Sequence, residues 1–148
     1  MSGKTYSFLN FNCTLSGPGG LISLGNGSGA NDEGITFEPA EDISSMEVGP
    51  DGSGQHSLHG NKSGHVTVRL LKTSPVNGLL MAMYNFQTSA PANHGQNTLV
   101  GVDSVTGDTV TCQQVAFKRR PTMKQGKVAG YNEWQFDAVS MDMVWALI

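Results

Sequence analysis

The chain has 148 residues and a net charge of −3, with only 14% of its residues charged. That length suits one domain over 1–148, able to bury roughly 70% of the unfolded chain's surface without covalent or metal staples. The negative balance argues against duplex nucleic acid as a binding target, and no apolar run approaches the roughly 20 residues that cross a bilayer.

The run 6–15 reads as a first strand, with Tyr6 and Phe8 on one face and Phe11, Cys13 and Leu15 on the other. The polar start leads into it with no apolar leader segment. Cys13 and Cys112 are therefore expected as two reduced, buried thiols. A glycine-rich turn at 17–20 precedes a short strand over 21–24, and 25–34 reads as a flexible loop. Residues 35–38 alternate as a strand that Pro39 breaks. Another strand, 43–48, puts Met46 and Val48 on one face and Glu47 on the other. Gly49-Pro-Asp-Gly52 has strong turn chemistry, with a short strand expected over 53–60.

The clearest unit is 64–89. Val66, Val68 and Leu70 alternate with Thr67, Arg69 and Leu71, the period of a half-buried strand. The period then changes. Ser74 supplies a capping hydroxyl and Pro75 a first helical residue that needs no N–H. Val76, Leu79, Leu80, Met83 and Tyr84 form one apolar stripe, so the spacing predicts a helix over about 75–89, ending before Pro91. Gly78 weakens that helix by about 1 kcal/mol relative to alanine.

Residues 98–105 and 109–117 read as a hairpin across Gly107-Asp108. Residues 118–130 form a cationic exposed loop. The last strand, 133–148, slips phase: Trp134, Phe136 and Ala138 share one face, then Val139, Met141, Met143 and Trp145 alternate. A bulge near Ala138–Val139 accounts for the slip. The chain is thus mainly β with one helix.

Motifs for chemistry are weak. Gly25, Gly27 and Ala30 fit the dinucleotide pattern G-x-G-x-x-A, but strand alternation follows where a helix is needed. His56, His59 and His65 sit among glycines that oppose convergent ligation, and read as surface or interface histidines. No nucleophile elbow or paired-carboxylate arrangement stands out. No catalytic, cofactor-binding or metal residue is assigned, no cofactor is expected, and the chain is not expected to be an enzyme.

Charge placement says more. Seven of twelve acids fall between Asp32 and Asp51, and five of nine bases between Lys118 and Lys127. Lys118, Arg119, Arg120, Lys124 and Lys127 are therefore candidate contacts for Asp32, Glu33, Glu41 and Asp42 of another copy. Such head-to-tail pairing closes rings or extends filaments. Binding of nucleic acid by the same bases lacks interleaved aromatics to stack on.

Several blocks, in order along the chain, resemble the tail tube proteins of contractile-tailed bacteriophages. They are Tyr6-Ser-Phe8 with Ser16-Gly-Pro-Gly-Gly20, Glu33-Gly-Ile-Thr-Phe-Glu38 leading to Glu41-Asp42, and Ser57-Leu-His with Ser63-Gly64. The last of these leads into Val66-Thr-Val-Arg-Leu-Leu-Lys-Thr-Ser-Pro-Val-Asn77, the strongest block, in which the run Arg69-Leu-Leu-Lys-Thr-Ser-Pro75 is fairly specific; Ala116-Phe117 and Glu133-Trp134-Gln-Phe136 add to it. The resemblance implies an antiparallel β-sandwich or barrel of two packed sheets, one flanking helix and long inter-subunit loops. It also implies hexameric rings stacked into a tube inside a sheath, in the virion, after assembly in the host cytoplasm. The implied partners are further copies of itself, the tail sheath protein, the tape-measure protein, and baseplate and tail-terminator proteins. DNA would pass through the lumen without specific binding, and no membrane is involved. A lumen strand should then show small polar or acidic side chains, as in 106–114. The competing expectations are another phage tail or baseplate ring protein, or a non-catalytic ligand-binding β-sandwich.

Overall fold

A computed structural model describes residues 11–24, 30–103, 107–123, 125–127 and 130–145, and the side chains of 30–33 lie outside that description. The expected strand residues Tyr6 and Phe8, the G-x-G-x-x loop at 25–29 and the last residues, 146–148, also fall outside it.

Among the described residues nine strands and one α-helix follow in order, with a 3-10 turn at Pro91–Asn93 between the helix and the next strand. They are β1 (Phe11–Gly17), β2 (Gly20–Ser23), β3 (Ala30–Pro39), β4 (Ser44–Val48), β5 (Gly54–Leu58), β6 (Gly64–Leu71), α1 (Val76–Thr88), β7 (Asn97–Asp103), β8 (Thr109–Arg119) and β9 (Tyr131–Val144). Seven strands make one open antiparallel sheet in the order β2-β1-β7-β8-β9-β6-β3, while β4 and β5 make a separate two-stranded ribbon. The second sheet of the expected pair is thus only a ribbon.

The core lies on one face of the large sheet. Val66, Val68 and Leu70 of β6, Trp134 and Phe136 of β9, and Leu15 and Leu99 are fully buried or nearly so. The helix covers this face through Val76, Leu80, Met83 and Gln87. Leu79, expected in the stripe, is 56% exposed. The helix touches the sheet along a narrower band at i, i+4, i+7 and i+11, and Leu79 lies beside it.

Local bonds explain where α1 begins. The Ser74 hydroxyl accepts the Val76 N–H at 3.3 Å. The Asn77 side chain donates to the Leu71 and Ser74 carbonyls and accepts from the Trp134 indole N–H at 3.1 Å. One asparagine thus ties the end of β6, the helix start and β9 together.

The phase slip in β9 is real and is shared. Ala138 and Met141 are both buried while Val139, between them, is 61% exposed. On β8, Cys112 and Val115 are both buried, with Gln113 and Gln114 exposed between them. The two slips lie opposite each other, since Cys112 pairs with Met141 and Val115 with Ala138. Gln114 takes a left-handed backbone, φ 53°, and β7 meets the bulge as a register shift between Asn97 and Leu99. A coupled slip bends both strands without disturbing their pairing. Beyond it, Met143 and Trp145 are 38% and 74% exposed, so the expected alternating buried face does not continue.

Two boundaries differ from expectation. Strand β3 starts at Ala30, inside the expected loop, because its pairing with β6 resumes across a register shift between Ala30 and Ile35; Gly34, φ 60°, sits within that irregularity. The shift breaks the period-2 pattern and hides the strand from view. Strand β8 runs on to Arg119, which pairs with Gln135. Lys118 and Arg119 therefore sit on a strand, and the cationic loop proper begins at Arg120.

Candidate assembly surfaces

Three exposed features stand out. The first is the β4–β5 ribbon, every residue of which is exposed. Tight turn chemistry closes it: Gly49 N–H donates to the Ser53 carbonyl at 2.7 Å, Gly52 takes φ 88°, and Asp51 accepts from the Ser53 hydroxyl at 2.6 Å. Those Ser53 bonds hold the Asp51 carboxyl below its usual pKa range. Cross-strand pairs are Ser44–Leu58, Met46–His56 and Val48–Gly54 on one face, and Ser45–Ser57 and Glu47–Gln55 on the other. Paired residues share a face. Met46, Val48 and Leu58 thus make one apolar face, 60–81% exposed. The alternation was readable from sequence; that nothing else in the described chain covers it was not.

The second feature is the sheet face opposite the core. On β1, β7 and β8 it carries Asn12, Thr14, Ser16, Thr98, Thr109 and Thr111, with Val100 and Val102 between them, by the observed register. On β6 and β9 it carries cross-strand pairs of opposite character. His65 Nδ1 meets Asp137 Oδ1 at 2.6 Å, and Arg69 Nε donates to Glu133 Oε2 at 3.0 Å while its guanidinium lies over the Tyr131 ring. This face is largely polar, with Leu21, Leu71 and Val144 exposed on it, and the described cation on β6 is matched by a carboxylate. Thr106, at the start of the expected lumen strand, lies outside the described residues.

The third feature is the segregated charge. Lys118, Arg119, Arg120 and Lys127 are all exposed. The Arg120 guanidinium stacks over the Tyr84 ring at 5.5 Å, fastening the loop's root to α1. Lys124 lies outside the described residues, as do the side chains of Asp32 and Glu33, which belong to β3. Glu41 and Asp42 are exposed between β3 and β4 and line a cleft of about 460 Å³ with Pro39, Ile43, Lys62 and Met141. Among the described residues the candidate bases are not brought against Glu41 and Asp42. The cationic loop leads into β9 where Leu71 pairs with Tyr131; the acidic cleft lies where Gly64 pairs with Ala138. Strand β6, eight residues long, separates them by about 23 Å.

The histidines are dispersed: His59 Nε2 is 3.3 Å from Ser45 Oγ, His56 lies on the ribbon, and His65 is paired as above. Among the described residues no group of three potential metal ligands converges. Both thiols are buried and not bonded to each other. Burial, with Cys112 nearby, pushes the Cys13 thiol up to about 12; burial, then the Asp142 charge, pushes Cys112 up to about 11.

A family model described as the bacteriophage PhiTE tail tube protein matches residues 3–146. No curated protein matches the chain. Among solved structures, the chain is similar to the tube-terminating cap of the anti-feeding prophage. The TM-score is 0.57 at 9% identity, over 99% of this chain and 95% of that one. It is also similar to a chain of the six-fold symmetrised anti-feeding prophage baseplate, with a TM-score of 0.56 at 11% identity over 100% of both chains. At those identities the likeness concerns the fold.

Proposed function

The chain belongs to the bacteriophage PhiTE tail tube protein family and is a tail structural protein; on that premise we propose that it is the repeating subunit of the tube itself. Six copies close a ring, and rings stack into a hollow conduit within a contractile sheath, through which DNA leaves the virion. The role is structural, without turnover. Subunits fold in the host cytoplasm, and the assembled tube meets sheath, tape-measure, baseplate and terminator proteins.

The observation that carries this reading is the β4–β5 ribbon. An isolated two-stranded ribbon is marginally stable in water, and this one turns Met46, Val48 and Leu58 to solvent. A neighbouring copy supplies the missing cover. Among the described residues β2 and β3 are the edge strands of the large sheet, and such edges offer further pairing to neighbours. The polar face of the large sheet suits a lumen wall: small hydroxyl side chains and matched charges let a polyanion slide without sticking.

Sedimentation velocity tests the proposal. The wild-type chain should shift from monomer to fast-sedimenting polymer with rising concentration. Met46→Asp with Leu58→Asp should stay monomeric while keeping its fold, since both positions are exposed in the single chain. Wild-type monomer at every concentration, or polymer unaffected by the double substitution, would contradict it. A ring that closes but never stacks would instead favour a cap or baseplate ring, the setting of the two solved likenesses.

A further inference from the structure

The acidic cleft and the cationic loop differ in more than charge. The cleft has an apolar floor: Pro39, Ile43, Met141 and Met143 line it. Glu41, Asp42 and Lys62 line it as well. Its walls are fixed by backbone bonds, with Ala40 N–H donating to the Ser63 carbonyl at 3.0 Å and Met141 N–H to the Lys62 carbonyl at 2.9 Å. The cavity is thus formed before anything enters it.

At the far end of the molecule the loop presents the complement. The end of β8 and the loop after it, residues 118–130, hold five bases and no acid. In their midst Met123 is 85% exposed, the most exposed of the large apolar side chains described. Arg120 anchors the loop on Tyr84, so Met123 projects from a fixed root. An unbranched, polarisable side chain fills irregular apolar cavities well.

We propose that Met123 of one copy seats in the Ile43–Met141 cleft of the next, with the flanking bases facing Glu41 and Asp42. A chain cannot fill its own cleft. Met123 stands beside Lys72, Asn77 and Asn132, and β6 carries about 23 Å of strand between that end and the cleft. The contact is therefore heterologous, and two unlike patches at opposite ends of one body generate an open stack. The inference rests on the tube reading and identifies what joins successive layers.

Site-directed cross-linking tests it. Met123→Cys and Ile43→Cys proteins are prepared separately, mixed under polymerising conditions and oxidised with copper phenanthroline and air. Both positions are exposed, and Cys13 and Cys112 are buried. The expected result is a covalent dimer in the mixture, none in either protein alone, and none when Leu21→Cys replaces Ile43→Cys. Electron microscopy of the same samples separates the two claims. Tubes without the specific dimer would overturn the Met123 seat and leave the tube reading standing; neither tubes nor dimer would overturn both. A dimer of Met123→Cys with itself would show a like-to-like contact and overturn the seat. As a second variant, Met123→Asp should lose stacking while Met123→Leu retains it; equal stacking by both would contradict the proposal.

Discussion

Gln87 and Asn97 exchange hydrogen bonds while both are fully buried. Gln87 Nε2 donates to Asn97 Oδ1 at 2.6 Å, and Asn97 Nδ2 donates to Gln87 Oε1 at 2.7 Å. Gln87 Nε2 also donates to the Pro18 carbonyl at 2.8 Å. Two amides thus pin the last turn of α1 to the start of β7 and to the turn after β1. Gln87→Leu or Asn97→Leu alone should cost about 1–3 kcal/mol, because each strands a buried amide. The double substitution should cost less than the sum. Urea unfolding of the three variants measures the difference. Gly17 belongs to the same joint: a side-chain carbon there would collide with the Asn97 amide, so Gly17→Ala should also destabilise.

Two backbone positions should respond in opposite directions. Gly78 is exposed within α1 and nothing lies near an added carbon. Gly78→Ala should therefore raise stability by about 1 kcal/mol. Gln114 holds φ 53° at the shared bulge. Gln114→Val should lose about 1–2 kcal/mol, since a left-handed backbone disfavours a β-branched side chain, whereas Gln114→Gly should not lose stability. Thermal unfolding ranks the three.

The buried thiols predict a fall in stability at alkaline pH. Below the ordinary thiol pKa of 9.0 neither state ionises. As pH rises past that value the unfolded chain releases protons, while the folded chain holds them until about 11 at Cys112 and about 12 at Cys13. The unfolded state then binds fewer protons, so stability drops with rising pH. The urea midpoint should fall between pH 8 and about pH 10. Cys13→Ala with Cys112→Ala should show a shallower fall, and an equal fall would contradict the assignment.

Charge reversal addresses the basic end of β8, at the root of the loop. Lys118→Glu with Arg119→Glu alters exposed positions and should change folding stability by no more than about 0.5 kcal/mol. Stacking of layers should be blocked, because the facing cleft is acidic. Normal tube growth by this variant would remove the basic end of β8 from the layer contact.

Much of this was legible in residue order. The change from period 2 to period 3.6 after Leu71 marks β6 and α1, and Gly49-Pro-Asp-Gly52 marks the ribbon turn. What escaped depends on register. Strand β3 begins before its alternation does, because the shift between Ala30 and Ile35 scrambles the faces. The slip at Ala138–Val139 was visible on β9, but its partner at Gln113–Gln114 emerges only when the strands lie side by side. Nothing in residue order joins Gln87 to Asn97; that pair forms only when the helix end meets the start of β7. The candidate charges could be named from sequence. The separation of Glu41 and Asp42 from the bases along β6 could not, since it follows from sheet order.

Electron microscopy of the purified protein at high concentration addresses the central claim most directly. The account predicts six-fold rings stacked into hollow tubes, with the β4–β5 ribbon of each subunit packed on a neighbour. Uniform single particles under every polymerising condition, with that ribbon still facing solvent, would contradict it.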